Sequence, residues 1–348
     1  YSGSYRLRES DRNIETYNAT NETGLTTSGY TGSTDFTSSS TTWSGLPSLN
    51  TFTISSVAQN WWYTVFADAT PDLYIKIKDG SNQTVYTSGY YDNTFPTVAW
   101  QNIGLIMTDP PYKVEVWDYD PLGNDDFGGN YTISSVTGTS SWSGNGNNGS
   151  YDITNSGHPA LDVHWGMEKT YDFYLSVFGR NSYDGNSSVI KQYLNPKELQ
   201  LNQGENPNNA FAFASPYNIM AYGMGDGVNM NPFVSLDVQG HEFTHMVIDN
   251  NGNGGLTYQG ESGALNESFA DIMGVCVEFY SGVNADWLMG EDIMVNDSYL
   301  RSMSNPNGGE QPDTYNGQYW VNPSSAQDQG GVHTNSGVQN FWFYLLSQ

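Results

Sequence analysis

The sequence predicts an α+β chain: a β-rich N-terminal part followed by a helical part. Three observations predict this. Residues 51–136 alternate apolar and polar with turn signals between the runs, the period-2 pattern of half-buried strands. From about residue 160 the spacing changes to the three-and-four rhythm of amphipathic helices. His241, Glu242 and His245 form an HExxH run inside one of those helices, and Glu267 follows 22 residues after His245.

Along the chain, residues 23–50 are rich in Thr, Ser and Gly and read as a loop or linker. Strands are expected at 51–55, 61–66, 73–78, 84–88, 112–117 and 130–134, and a polar connector at 137–150. An amphipathic helix is expected over 164–177, with His164 as a packing residue, and mixed strands and loops to about 232. Helices over 235–248 and 264–280 carry the two His and Glu267. A last helix begins near Val338. Its Phe341, Trp342, Tyr344, Leu345 and Leu346 cover nearly all sides, which predicts burial between other elements.

Composition narrows the function. Lys plus Arg number 11 against 37 Asp plus Glu, a net charge of −26. That excludes a nucleic-acid-binding surface, argues against anionic membranes, and suits a secreted protein that binds divalent cations. No run of 18 apolar residues occurs, so no membrane insertion is expected. Cys276 is the single cysteine and lies in the apolar run 272–280, where it reads as an inert packed thiol. The chain starts at Tyr1 without a signal-like segment, so the expectation is a processed extracellular product.

Two histidines four apart lie one turn apart on one helix face, so both imidazoles can reach one ion. Glu242 projects toward the same ion without having to bind it, which leaves it free to take a proton from water. Glu267 supplies a carboxylate from a second helix. Two His and one Glu on Zn²⁺ leave a fourth position open, the mark of a catalytic rather than a structural site.

Longer runs carry a family resemblance. Tyr258-Gln259-Gly260-Glu261-Ser262-Gly263-Ala264-Leu265-Asn266-Glu267, Gly290-Glu291-Asp292, Leu300-Arg301-Ser302-Met303 and Gln327-Asp328-Gln329-Gly330-Gly331-Val332-His333 are among them. With Pro207-Asn208-Asn209-Ala210-Phe211, the run 222–227 and Tyr5-Arg6-Leu7-Arg8, they resemble the thermolysin-type neutral zinc metallopeptidases. The resemblance covers the first twenty residues and most of the chain after residue 141. It implies thermolysin-like catalytic lobes and a helical part that is incomplete at its C-terminus. A further C-terminal helical segment, or a nicked separate chain, is therefore expected as a partner.

The resemblance also implies roles. Tyr258 and His333 would donate hydrogen bonds to the oxyanion, with Asp271 orienting His241 and Asp328 orienting His333. Asn209, the backbone of Ala210, and Arg301 would hold the substrate main chain. Met230, Phe233, Val238, Met289 and Leu300 would form an apolar pocket for a bulky residue after the scissile bond. Asp237, Glu278, Asp286 and Glu291 would form a Ca²⁺ site beside the active centre.

The middle block interrupts that pattern. Asp118 and Asp120 alternate at a strand end and Asp126 returns after a loop, a convergence of carboxylates that suits Ca²⁺. This block resembles the calcium-binding β-sandwich modules of protein kinase C and synaptotagmin, with Asp72, Asp118, Asp120 and Asp126 on the ligand pattern. The loop from Asp68 to Asp72 is shorter than in those modules. The expected division is 1–21 and 141–232 for the peptidase N-terminal part, 22–140 for the insert with its linkers, and 233–348 for the zinc-binding helical part. The expected activity is hydrolysis of protein or peptide substrates by a zinc endopeptidase with Glu242 as general base. The competing readings are a calcium-dependent binding protein that uses the peptidase part as a scaffold, and an HExxH aminopeptidase.

Overall fold

The computed structural model describes residues 5–348 except 7, 10, 21, 39–47, 58–70, 81, 93, 95, 102, 104, 108–110, 121–123, 135–137, 145, 155–158 and 201–205. The strand expected at 61–66 and Asp68 lie outside the described residues.

A mixed sheet carries the N-terminal part. Its order is Ala210–Phe213, Ile219–Tyr222, Ile190–Leu194, Ile14–Asn18, Arg8–Glu9, with Thr34–Asp35 also pairing with Ile14–Asn18. The strand Ile190–Leu194 lies parallel to both of its neighbours. Ala210–Phe213 is the antiparallel edge strand. Helix α1 (Pro159–Phe178) packs against the sheet through His164, whose Nδ1 lies 2.9 Å from the Thr16 hydroxyl. Burial, with Arg12 nearby, pushes His164 down to about 4, so the ring is neutral packing, as the sequence suggests.

The stretch 23–50 is not a bare linker. It holds a hairpin, Gly24–Thr26 with Gly29–Thr31, and the short strands Thr34–Asp35 and Thr37–Ser38, which pair with Ile14–Asn18 and Tyr5–Arg6. Strands of two or three residues are too short to display a period.

Between residues 48 and 154 the described strands form a sandwich of two antiparallel sheets. One runs Thr84–Thr87, Leu73–Lys78, Tyr112–Asp118, Asp126–Ile133. The other runs Val98–Trp100, Ser48–Ser56, Asn147–Thr154, Gly138–Gly144, with Leu105–Ile106 at Ser48–Ser56. Phe52, Ile54, Ile75, Ile77, Trp100, Val114 and Trp142 fill one core between them. The connector expected at 137–150 is instead a hairpin, and its sheet continues to Thr154, past residue 140. Its strands bury Trp142, Tyr151 and Ile153 among Ser, Gly and Asn, and this small-residue alternation hides the strand signal.

Four further helices form the C-terminal part: α2 (Leu236–Asp249), α3 (Gly260–Ser281), α4 (Asp328–Asn335) and α5 (Gly337–Leu346). Helix α5 packs Phe343 and Tyr344 against Trp287. On its other sides Trp342, Leu345 and Leu346 are 58 %, 56 % and 68 % exposed, so the described residues do not supply the elements expected to cover them. Among the described residues no helix is long and apolar enough to cross a membrane.

Candidate active site

Two glycines let α2 and α3 approach closely. A Cβ on Gly240 would lie 2.8 Å from Gly274 Cα, and one on Gly274 would collide with the Asp237 carbonyl. Close approach sets the base of the site. It brings Glu267, on α3, under the two histidines of α2.

His241 Nε2 and His245 Nε2 are 3.0 Å apart, and each lies 3.4 Å from a Glu267 carboxylate oxygen. Ligand atoms about 2.0 Å from a tetrahedral ion are roughly 3.3 Å from one another, so the trio fits zinc. The opposite edges of the rings are held: His241 Nδ1 by Asp271 at 2.9 Å, and His245 Nδ1 by the Asn266 side-chain carbonyl at 2.8 Å. With both Nδ1 atoms donating, both Nε2 lone pairs face the centre. Burial pushes His245 down to about 4. Burial acts the same way on His241, but Asp271 and Glu267 outweigh it and raise that ring to about 8. Two buried rings this close cannot both be charged. Glu267 Oε2 and Glu242 Oε2 are buried with no hydrogen-bond partner. Converging acceptors without donors are the chemistry of a cation site.

Glu242 is 5 % exposed, and burial pushes its carboxyl up to about 7. Opposite it, the Tyr258 hydroxyl bonds Glu267 and lies 3.1 Å from His333 Nε2. Asp328 clamps His333 from behind. One oxygen takes Nδ1 at 2.6 Å, and the other takes the backbone N–H groups of His333 and Thr334 at 3.0 and 2.9 Å. The chain reaches this arrangement through a left-handed bend in which Gly330 has φ 84° and Gly331 φ 81°. Burial opposes a charged His333, but Asp328 and Glu267 win and raise its pKa.

Asp271 joins several elements. It accepts from His241, from Arg301 Nε and Nη2 at 2.9 and 2.6 Å, and from Asn340 Nδ2 at 2.8 Å. Arg301 and His241 hold its carboxyl well below the usual range despite burial. A cavity of about 520 Å³ runs past these groups. Asn209, Ala210, Phe233, Val238, Met289, Leu300 and Arg301 all line it, together with His241, Glu242, His245, Tyr258, Glu267 and His333. Met230 does not line it: it sits partly buried against the core, in a bridge with Met294.

Against known proteins, the thermolysin metallopeptidase catalytic-domain profile matches residues 107–249, and the thermolysin metallopeptidase alpha-helical-domain profile matches residues 254–348. Together they take in more than half of the chain. The chain belongs to the thermolysin metallopeptidases. Relatives in this family include bacillolysin of Bacillus caldolyticus, 46% identical over 193 residues. Thermolysin of Alicyclobacillus acidocaldarius subsp. acidocaldarius is 45% identical over 193 residues. Each alignment takes in 54% of this chain and 32% of the relative, so the chain spans about a third of the length of these relatives. The solved precursor of protealysin from Serratia proteamaculans is 32% identical, covering 54% of this chain and 58% of that one, with a TM-score of 0.45. A solved C2 domain aligns at 16% identity over 31% of this chain and 96% of its own, with a TM-score of 0.22. The catalytic-domain match begins inside the sandwich, at residue 107.

Two acidic clusters lie outside the trio His241, His245 and Glu267. Asp237, Glu278 and Glu291 bring ligand atoms within 4.8 Å of one another. Burial and the neighbouring carboxylates push Glu278 up to about 10 and Glu291 to about 7, and three of their four side-chain oxygens are buried without partners. Asp286 faces both at longer range while accepting Leu288 N–H at 2.6 Å, and Asp292 adds to the same field. In the insert, Asp118 accepts Asp72 N–H at 2.7 Å. Burial, with Asp120, Asp72 and Asp126 nearby, raises it to about 6. Those four aspartates are not among the described groups whose ligand atoms come within 4.8 Å of one another. Asp125 is drawn inward by the Tyr74 hydroxyl at 2.5 Å.

Sequence reasoning missed three contributors: Asn266, which orients His245; Asn340, which ties α5 to Asp271 and to Ser268; and Asp292. Asn266 sits inside the run Tyr258–Glu267, one residue before Glu267. Asn340 had no signal beyond being one of two polar residues, with Gln339, in an otherwise apolar helix. Cys276 is as expected: burial pushes its thiol up to about 11.

Proposed function

We propose that the chain is a secreted zinc endopeptidase that cleaves protein substrates, with a bulky apolar residue preferred after the scissile bond. The observation that carries this is the trio His241, His245 and Glu267, converging at ion-binding distances beside the buried Glu242. When bound by that trio, zinc supplies Lewis acidity, which polarises a carbonyl and makes water acidic enough to lose a proton.

The chain's own residues do the rest. Glu242 takes the proton of the attacking water and hands it to the leaving amine. The Tyr258 hydroxyl and the His333 imidazolium donate to the carbonyl oxygen as it gains charge. Asp328 keeps His333 turned and protonated for that task. The edge strand Ala210–Phe213 offers backbone groups along the cleft to an extended peptide, with Asn209 at its start. Arg301 commits Nε and Nη2 to Asp271, leaving Nη1 as donor to a substrate carbonyl. Phe233, Val238, Met289 and Leu300 receive the apolar side chain.

Asp237, Glu278 and Glu291, with Asp286 beyond them, are read as a Ca²⁺ site, and the insert as a calcium-binding sandwich using Asp72, Asp118, Asp120 and Asp126. Calcium titration of the Asp118→Asn/Asp120→Asn chain should lose the insert's binding step and keep the other.

Casein cleavage tests the main reading. A zinc chelator and Glu242→Gln should each abolish it. Cleavage surviving in Glu242→Gln would remove that residue as the base. Hydrolysis of end-blocked peptides separates endopeptidase from aminopeptidase. Calcium-dependent binding without any hydrolysis would leave the scaffold reading.

A further inference from the structure

Asp226 joins three parts of the molecule. It sits in the turn between Ile219–Tyr222 and α2 and is 7 % exposed. One carboxylate oxygen accepts the N–H groups of Val228, Asn229 and Met230 at 2.8, 2.7 and 3.2 Å. The other accepts the side-chain amides of Asn208 and Asn229 at 2.8 and 3.0 Å. Asn208 returns a bond, accepting Asp226 N–H at 2.7 Å. Asn208 leads into Asn209 and the edge strand of the cleft, and the Asn209 carbonyl is itself held by Gly223 N–H at 2.9 Å. The same residue meets the sandwich. Its carbonyl accepts Gly89 N–H at 2.9 Å and lies 3.5 Å from the Tyr86 hydroxyl. Val228, two residues on, is buried in the sandwich core.

We propose that Asp226 is a positioning residue through which the inserted sandwich sets the place of the cleft wall at 209–213, so that the sandwich favours binding of extended peptides without touching them. The proposal rests on the peptidase reading. Its chemistry needs a carboxylate, because all five partners are donors. An amide at this position turns an NH₂ toward N–H groups and leaves donors unpaired. Transmission from the sandwich needs Gly89, where a Cβ would stand 3.0 Å from Asp226 Cβ and 3.3 Å from its Cγ.

The test uses the full chain loaded with zinc. Asp226→Asn and Gly89→Ala are compared with wild type on a long peptide that reaches the edge strand and on a short blocked peptide spanning little more than the scissile bond. The expected result is a rise in KM for the long peptide of about tenfold in Asp226→Asn and a smaller rise in Gly89→Ala, with kcat held within about twofold. The short peptide should be unaffected. Binding of the long peptide to each variant carrying Glu242→Gln is measured alongside. If wild type binds the long peptide but cleaves nothing, the peptidase reading falls, and the proposal is judged on these Kd values. If both variants lower thermal stability yet leave KM and Kd unchanged, or weaken long and short peptides equally, or lower kcat instead, the positioning role is overturned. Should Asp226→Asn fail to fold, Gly89→Ala decides alone.

Discussion

Gly240 and Gly274 meet where α2 crosses α3, at 2.8 Å between a Cβ placed on the first and the Cα of the second. The ligand spacing proposed for zinc depends on that contact, since His241 and His245 come from one helix and Glu267 from the other. Gly274→Ala would force the helices apart at the Asp237 carbonyl. Overpacking of this kind costs about 1–3 kcal/mol. Zinc affinity should fall about tenfold or more, the order seen when groups that orient ligands are lost. Competition against a chromophoric chelator measures it. Unchanged affinity would mean that the crossing does not set the ligand spacing.

Asp328 holds His333 through the ring and through two backbone N–H groups. Asp328→Ala frees the ring and lowers its basicity, removing a donor from the developing oxyanion. By the measure of other lost oxyanion donors, kcat should fall about 10²–10³-fold. Zinc content and KM for a blocked peptide should hardly move. A loss confined to KM would instead make His333 a substrate-binding group.

The convergence of His241, His245 and Glu267 was legible because a helix converts a spacing of four into one face, and Glu267 came with a long run around it. Helices α1, α2, α3 and α5 were legible in type, with ends one to five residues off: α1 begins at Pro159 rather than 164 and α3 at Gly260 rather than 264, while nothing in the sequence marked α4. What stayed hidden was tertiary. The hairpin of Gly138–Gly144 with Asn147–Thr154 buries only a few large residues among Ser, Gly and Asn, so its sequence looks like a linker. Asn340 reaches Asp271 from a helix sixty-nine residues away in sequence, and nothing local marks it. Met230, expected in the pocket, is not among its lining residues; it is partly buried against the core, and its backbone pairs with Met294.

His164 gives a pH dependence. Burial holds its folded pKa at about 4, against about 6.5 for an unfolded ring. The Glu168 carboxylate, 3.8 Å away, is beyond hydrogen-bond reach and does not reverse this. Between the two values the unfolded chain binds more protons than the folded one, so stability rises with pH across that window. It is lost as pH falls from about 6.5 toward 4, by about 3 kcal/mol in all. Denaturant melts in a Glu242→Gln background, which prevents self-digestion, should show this slope. Introducing His164→Gln should flatten it by about one proton. Parallel stability curves with and without His164 would rule the ring out as a source of acid lability.

Asp237, Glu278 and Glu291 make opposite demands with and without a cation. Alone, three carboxylates with ligand atoms within 4.8 Å of one another repel, and buried oxygens go unpartnered. With Ca²⁺ between them the same atoms become ligands. Dialysis into calcium-free buffer containing zinc should therefore lower Tm in the Glu242→Gln chain. A ligand at a hundred times its Kd contributes about 2.7 kcal/mol, and so roughly 4 °C for a chain of 348 residues. Glu278→Gln separates a cation site from a merely packed one. It removes a ligand but little charge, because without a cation Glu278 is pushed up to about 10 and is already protonated near neutral pH. In calcium-free buffer the variant should melt close to its parent, and in saturating calcium below it. A loss confined to saturating calcium is the signature, because loss of packing alone would lower both melts equally. An equal loss in both buffers would show that Glu278 is a structural side chain rather than a calcium ligand.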